Sequence, residues 1–181
     1  MSADIGSKIW WRAELRRRRI RPGPIRSATV CRALRPMLDQ LDGIVVAYRA
    51  LHDEVDLGPL LGSTPERFAL TRTPDAGELT VHPLDGREER HRFGFLQPAA
   101  DAVIVPDQRV AAVLVPGLAF APDGARLGRG AGHYDRFLAR LDERVLRIGV
   151  LTAASLVLRL PTEPHDRPMT HLVTEAGVIE V

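Results

Sequence analysis

Two apolar runs that flank a glycine-rich loop constrain the fold of this chain most strongly. The runs, residues 111–116 and 146–151, have the length of buried strands, and the segment between them carries apolar residues at helical spacing. Buried strands that alternate with helices are typical of a mainly parallel sheet covered on both faces. We therefore predict an α/β fold of three layers, a single Rossmann-like domain over residues 1–181.

The rest of the chain supports the same alternating order. Predicted helices span residues 7–21, 25–41 and 55–61, the last interrupted by Gly58-Pro59. Predicted strands span residues 43–48, 68–70 and 78–83. Ligands of such sheets bind outside the carboxyl ends of the strands. The segments 48–54 and 119–132, which each follow a strand, are therefore expected to face one cleft.

The glycine-rich loop has the composition of an anion site. Four glycines within the nine residues 124–132 allow backbone N–H groups to turn toward one point, and Arg126 and Arg129 supply charged groups that suit phosphate. The N-terminus of the following helix adds a positive dipole end. The loop lacks the Walker Gly-Lys-Ser/Thr, and its glycines are too dense for the dinucleotide fingerprint. The pattern indicates a nucleotide site, with a structural turn carrying solvated arginines as the alternative.

The distribution of positive charge singles out one lysine. Of the 25 basic residues only Lys8 is a lysine, and an ammonium group is a compact, mobile charge able to reach a terminal phosphate. The alternative is that Lys8 is a lysine retained by chance on a solvated face of the helix. The run 16–19 is all arginine, which raises a nucleic-acid hypothesis. On a helix these side chains point in different directions, so a solvated face is favoured and no nucleic-acid partner is expected.

Composition limits the other classes of function. The lone Cys31 cannot form an internal disulfide, and the six histidines lack metal-ligand spacing, so none is assigned to a metal. The sequence has no run of 18 apolar residues, and its N-terminus lacks the pattern of a signal peptide. We expect a cytoplasmic monomer with no membrane partner.

Several motifs, in chain order, resemble those of one enzyme family. The longest is Pro116-Gly117-Leu118-Ala119-Phe120 with Gly124-x-Arg126-Leu127-Gly128-Arg129-Gly130-x-Gly132-x-Tyr134-Asp135-Arg136-Phe137-Leu138. The others are Lys8-x-x-x-Arg12, Glu54-x-Asp56, Pro161-x-Glu163-x-His165-Asp166 and Val173-Thr174-Glu175. Together they resemble the 5-formyltetrahydrofolate cyclo-ligase family, also called methenyltetrahydrofolate synthetases.

The resemblance implies an ATP-dependent ligase of one-carbon metabolism that converts 5-formyltetrahydrofolate to 5,10-methenyltetrahydrofolate, with ATP as co-substrate and Mg²⁺ as the metal. It implies ATP-binding residues in the first helix and the loop: Lys8, Arg12, Arg126, Leu127, Gly128, Arg129, Gly130, Gly132, His133 and Tyr134. The implied folate residues are Tyr48, Glu54 and Tyr134, and the implied metal ligands are Asp135 and Asp166. Arg126 and Tyr134 are the implied catalytic residues.

Alternatives remain open at this point. Taken singly, the structural interpretation is favoured: Asp135 as a helix cap, Asp166 as a turn former, Glu54 as a helix-start carboxylate and Tyr134 as a core residue. Taken together, at family positions and in family order, these residues favour the functional interpretation. The chain departs from the usual family pattern at Ala111, Gln97, Ala121, His133 and Ser155. A diverged, inactive protein that binds folate or nucleotide as a regulator is therefore the alternative function, and an RNA-associated protein is a weaker one.

Overall fold

A seven-stranded sheet forms the centre of the computed structural model, which describes residues 6–18, 21–74, 77–84, 86–92 and 94–181. In chain order the strands are β1 (Ile44–Ala47), β2 (Phe68–Arg72), β3 (Thr80–Pro83), β4 (Glu88–Arg90), β5 (Leu96–Pro98), β6 (Val110–Val115), β7 (Ala119–Phe120), β8 (Arg126–Leu127), β9 (Leu146–Val150), β10 (His171–Thr174) and β11 (Gly177–Glu180). The central sheet has the order β11-β10-β9-β6-β1-β2-β3, and β4 with β5 and β7 with β8 form two separate two-stranded sheets.

The five inner strands of the central sheet are parallel. β1 pairs with β2 and β6, and β9 pairs with β6 and β10, all in parallel. The two edge strands, β3 and β11, are antiparallel to their neighbours. The prediction of a mainly parallel sheet is confirmed.

Helices cover both faces of this sheet. The helices are α1 (Lys8–Arg18), α2 (Pro24–Leu38), α3 (Gly58–Leu61) and α4 (His133–Arg140). Val45 of β1 packs in a core with residues of α2 and α3, whereas the next residue, Val46, packs in a second core with α4. Successive side chains of a strand point to opposite faces, so these cores lie on opposite sides of the sheet. The predicted three-layer α/β architecture is confirmed.

The first helix packs away from these two cores. Leu15 of α1 belongs to a third core with Ala119 of β7 and Leu127 of β8. The helix is therefore anchored on the small hairpin that opens the glycine-rich loop. The described helix ends at Arg18, and Arg21, the predicted last residue, is not helical. Arg19, the last arginine of the 16–19 run, and Ile20 lie outside the described residues.

The helix predicted over residues 55–61 is wrong in its first half. Only Gly58–Leu61 is helical. The backbone N–H of Asp56 donates to the Ser27 hydroxyl of α2 at 3.1 Å, so the segment before residue 58 is bound to its neighbour instead of forming its own helical turn. Pro59, which has no N–H to donate, is suited to the first turn of the short helix that follows.

The structure also describes the surroundings of the lone cysteine and the length and polarity of the helices. Cys31 is buried in the α2 core, and its thiol donates to the carbonyl of Asp56 at 3.4 Å. Within the described ranges, every helix is too short or too polar to cross a bilayer.

Candidate functional site

The glycine-rich loop, residues 124–132, includes β8 and ends at the start of α4. Gly132 precedes that helix with a φ of +67°, and Gly130 has a φ of +108°, a backbone region in which side chains other than hydrogen are strained. A Cβ atom on Gly130 would also lie 3.4 Å from the guanidinium carbon of Arg12. The missing side chain of Gly130 therefore allows the loop to lie close to Arg12 of α1.

Helix α1 holds the loop through its arginines. Nε of Arg12 donates to the carbonyl of Gly128 at 2.9 Å, and the Arg16 guanidinium reaches the carbonyl of Arg129 at 3.5 Å. The predicted convergence of the first helix and the loop, which lie more than 100 residues apart in the chain, is therefore present in the structure.

Lys8 contacts a turn near the C-terminus. Its ammonium lies 2.6 Å and 2.7 Å from the two carboxylate oxygens of Asp166 and 2.8 Å from Oε2 of Glu163. Burial opposes protonation of this lysine, but the hydrogen bonds to Asp166 and Glu163 outweigh it and raise the pKa of the ammonium. Burial likewise opposes ionisation of Asp166, but Lys8 lowers the pKa of that carboxyl. Asp166 also accepts the backbone N–H of Glu163 at 2.7 Å, so it forms the turn and binds the lysine at once.

Arg126 and Asp135 form the most buried ion pair of the site. One guanidinium nitrogen of Arg126 lies 3.0 Å and 3.1 Å from the two oxygens of Asp135, and their side chains are 6% and 18% exposed. In the described part of the chain, Nε of Arg126 is a buried donor that no acceptor meets. The guanidinium carbon lies 5.5 Å from the ring centre of Tyr134, a cation–π distance. Arg126 thus carries a buried charge with one unused donor, as expected of a group that completes its bonding with a ligand.

Arg129 reaches across to the segment that follows β1. Its guanidinium donates to Oε1 of Glu54 at 3.3 Å and also to a carboxylate oxygen of Asp53. The side chain of Glu54 is only 9% exposed, and its other oxygen accepts the backbone N–H of Leu51 at 2.9 Å. Burial raises the pKa of Glu54, although the Leu51 N–H and Arg129 act in the opposite direction.

The two tyrosines of the predicted site differ in their surroundings. Tyr134 is partly exposed, and burial raises the pKa of its hydroxyl, so the group is a neutral donor at ordinary pH. Tyr48 is 3% exposed in the core formed with α2 and α3, where its hydroxyl donates to the carbonyl of Val55 at 3.1 Å. Its assignment to the folate stays a prediction, and the structure gives it a core contact.

The remaining loop residues lie as follows. The Leu127 side chain is buried in the third core, beside Leu15 of α1, so only its backbone is available to a ligand. His133 lies in the first turn of α4, 3.2 Å from the Arg136 guanidinium, and burial lowers the pKa of its imidazole. At the departures from the family pattern, Ala121 is fully buried and Gln97 accepts the backbone N–H of Thr73 at 3.2 Å.

Three residues near the site were not predicted from the sequence. Asp53 binds Arg129, and Glu163 binds Lys8. His165 groups with Glu163 and Asp166, and the possible ligand atoms of all three lie within 4.8 Å of one another. The spacing of Glu163, His165 and Asp166 does not match a regular metal-ligand pattern, so the sequence did not indicate this group. All three residues nevertheless lie in the Pro161-x-Glu163-x-His165-Asp166 motif. The role of Asp135 and Asp166 as the metal ligands stays a prediction.

The chain matches known proteins along much of its length. Residues 67–175 match the model of the 5-formyltetrahydrofolate cyclo-ligase family. The 5-formyltetrahydrofolate cyclo-ligase of Mycolicibacterium smegmatis is 48% identical over 68 residues, which are 37% of this chain and 35% of that protein. The Escherichia coli K12 protein of the same name is 35% identical over 104 residues, 56% of this chain and 57% of that protein. The alignments thus span about a third to three-fifths of these relatives.

Two solved structures share the fold over nearly the whole chain. The NMR structure of Aquifex aeolicus 5,10-methenyltetrahydrofolate synthetase superposes with a TM-score of 0.79 at 28% identity, covering 96% of this chain and 92% of that one. The 5,10-methenyltetrahydrofolate synthetase of Mycoplasma pneumoniae superposes with a TM-score of 0.71 at 16% identity, covering 93% of this chain and 99% of that one, a likeness of fold.

Proposed function

Because the chain belongs to the 5-formyltetrahydrofolate cyclo-ligase family, we propose that it catalyses the ATP-dependent conversion of 5-formyltetrahydrofolate to 5,10-methenyltetrahydrofolate. The observation that carries this proposal is the meeting of α1, the glycine-rich loop and the 163–166 turn, which gathers Lys8, Arg12, Arg126 and Arg129 in one region. Four cations around glycine N–H groups suit a triphosphate.

The proposed reaction has two steps. The formyl oxygen attacks the γ-phosphorus of ATP, the bond from that phosphorus to the bridging oxygen breaks, and ADP leaves. N10 then attacks the activated formyl carbon and loses its proton, and the carbon–oxygen bond breaks to release phosphate. Phosphoryl transfer depends on alignment and charge neutralisation more than on covalent help from the protein.

The charged residues supply that neutralisation. Lys8, Arg12, Arg126 and Arg129 are proposed to bind the phosphates, together with the backbone at Leu127, Gly128, Gly130, Gly132 and His133. Tyr134, adjacent to Arg126 and neutral at ordinary pH, is proposed to donate a hydrogen bond at the reacting centre. Glu54, with one oxygen fixed by the Leu51 N–H, is proposed to orient the folate. Tyr48 is proposed as a second residue of the folate site.

The carboxylates of the site fit a magnesium ion chemically. Asp135 and Asp166 offer the hard oxygen ligands that Mg²⁺ prefers. Their oxygens contact Arg126 and Lys8 respectively, so a bound ion would share these carboxylates with the two cations. We propose these two residues as the Mg²⁺ ligands. When bound, the ion would neutralise phosphate charge and orient the transferred group.

The direct test is a spectroscopic assay. The purified protein is mixed with 5-formyltetrahydrofolate, ATP and Mg²⁺, and the near-ultraviolet absorbance of the methenyl product is followed. Growth of this band that requires all three components supports the proposal. Binding of both ligands without any product would instead support the inactive regulator.

Three further assignments are proposed with this function. The chain is proposed to act as a single domain over residues 1–181, as a monomer and in the cytoplasm. The single central sheet, whose strands extend from residue 44 to residue 180, supports the first of these. Size-exclusion chromatography with light scattering tests the second, and a dimer mass would reject it.

A further inference from the structure

Asp53 and Glu54 together hold one arginine of the loop. The Arg129 side chain is 37% exposed, whereas those of Asp53 and Glu54 are 21% and 9% exposed. Both carboxylates contact the same guanidinium, and Glu54 is separated from it by 75 residues of chain. The ion pair therefore bridges the segment after β1 and the glycine-rich loop.

This bridge occupies the two charged groups that are proposed to bind the nucleotide and the folate. Under the proposed function, on which this inference rests, Arg129 binds phosphate and Glu54 binds the folate. A nucleotide that draws Arg129 away leaves Glu54 a nearly buried carboxylate without its counter-ion, which favours a new hydrogen-bond donor. A folate that engages Glu54 first likewise weakens the hold on Arg129.

We infer that Asp53 is a positioning residue that holds Arg129 against Glu54, and that this cluster couples nucleotide binding to folate binding. The ligand that binds first must break the Arg129–Glu54 ion pair, which weakens its binding. The second ligand finds the pair already broken, so its binding is not weakened in this way. The coupling is reciprocal, because each ligand must change the affinity of the other by the same factor. For a partly exposed ion pair the expected factor is about fivefold.

The structure explains why the side chain can change partners while the loop stays fixed. The backbone of the loop is bound to α1 through the carbonyls of Gly128 and Arg129. The guanidinium of Arg129, in contrast, is bound only by the two carboxylates among the contacts described. Ligand exchange at Arg129 therefore requires side-chain rotation rather than rearrangement of the fold.

The test measures affinities by calorimetry with Mg²⁺ and a non-hydrolysable ATP analogue that carries an imido β–γ bridge. The dissociation constant of the analogue is measured with and without saturating 5-formyltetrahydrofolate, and that of the folate with and without the analogue. In the wild type, each ligand is expected to tighten the other by the same factor. Without folate, Asp53→Asn and Glu54→Gln are each expected to tighten the analogue by about twofold to fivefold.

A matched control separates release of Arg129 from a general change in charge. Asp56→Asn removes one negative charge only three residues from Asp53, at a carboxylate that accepts the backbone N–H of Gly58 at 2.9 Å. This variant is expected to bind the analogue as the wild type does. A residue that merely supported the local fold would weaken binding when replaced, whereas release of a held arginine strengthens it.

Two results would overturn the inference while the proposed function stands. One is independent binding of the two ligands to a catalytically active wild type. The other is an affinity of Asp53→Asn and Glu54→Gln for the analogue no higher than that of Asp56→Asn. Failure of the wild type both to bind the analogue and to form the methenyl product would reject the proposed function, and this inference with it.

Discussion

The ammonium nitrogen of Lys8 lies 2.6 Å from Oδ1 of Asp166, a contact that joins the first helix to a turn 158 residues further along the chain. The lysine side chain is 11% exposed and the aspartate side chain 16%. The single lysine of the chain is thus bound to this turn, and Arg12, one helical turn further along α1, contacts the carbonyl of Gly128 in the glycine-rich loop. This arrangement favours a phosphate-binding role over a solvated surface role for Lys8.

Replacing Lys8 tests that role. Lys8→Ala removes the compact charge proposed to reach the terminal phosphate, and we expect turnover to fall by about a hundredfold or more, as when one transition-state donor is lost. Circular dichroism is expected to show an unchanged fold. Arg17→Ala, on the same helix with a side chain 81% exposed, is the control and should keep full turnover. Full activity of Lys8→Ala would remove the lysine from the mechanism.

Asp135→Asn tests the buried pair with Arg126 and the proposed metal ligand together. The change leaves the nearly buried Arg126 charge without its partner, so the free energy of unfolding is expected to fall by about 3 kcal/mol in urea denaturation. The Mg²⁺ concentration for half-maximal turnover is expected to rise at least about tenfold, because one charged oxygen ligand is lost.

The control for this variant is Asp142→Asn. Its partner, Arg144, has a side chain 90% exposed, so breaking this pair should leave both stability and the Mg²⁺ requirement unchanged. An unchanged Mg²⁺ requirement in Asp135→Asn would contradict the proposed metal role, whatever happens to the stability.

The buried carboxyl of Glu54 predicts a pH dependence of stability. Its folded-state pKa is raised above the ordinary value of 4.5, chiefly by burial. The folded state therefore holds this proton more tightly than the unfolded state, and stability from this group is lost as pH rises from 4.5 through the folded pKa. Glu54→Gln, which cannot ionise, should become more stable relative to the wild type as pH increases over that interval. Urea denaturation from pH 4 to pH 8 measures this difference, and a difference that does not vary with pH would contradict the assignment.

Tyr134→Phe tests the proposed hydrogen bond at the reacting centre. Because burial keeps the hydroxyl protonated, its loss should lower kcat by about a hundredfold without changing the shape of the pH profile. Steady-state assays between pH 6 and pH 9 measure both quantities. An unchanged kcat, or an alkaline limb that disappears in the variant, would show that the tyrosine acts otherwise.

The sequence predicted the family and the central sheet because their signals are local. The apolar runs at 111–116 and 146–151 became β6 and β9, and the break at Pro22-Gly23-Pro24 separates the first two helices. The glycine loop and the motifs around it indicated the family, which the match over residues 67–175 confirms. The predicted site residues remain predictions, although the structure brings most of them together.

What the sequence did not predict depends on contacts between distant segments. The start of α3 was placed too early because the hydrogen bond between Asp56 and Ser27 of α2 has no local signal. The hairpin of β10 and β11 and the short strands β4 and β5 were not predicted, because they lack the longer apolar or alternating runs that predicted β1 and β3, and such segments are set by their partners more than by their own pattern. The pairing of Arg129 with Asp53 is of the same kind, because propensity along the chain carries no information on which charges meet.

The central claim, that the first helix and the glycine-rich loop form one nucleotide site, is tested most directly by a crystal structure of the protein with Mg²⁺, the imido ATP analogue and 5-formyltetrahydrofolate. We predict that the triphosphate lies within hydrogen-bond distance of Lys8, Arg12 and the backbone of residues 128–132, with the formyl group next to the γ-phosphate. A nucleotide bound elsewhere, with the Lys8 ammonium directed into solvent, would contradict the account.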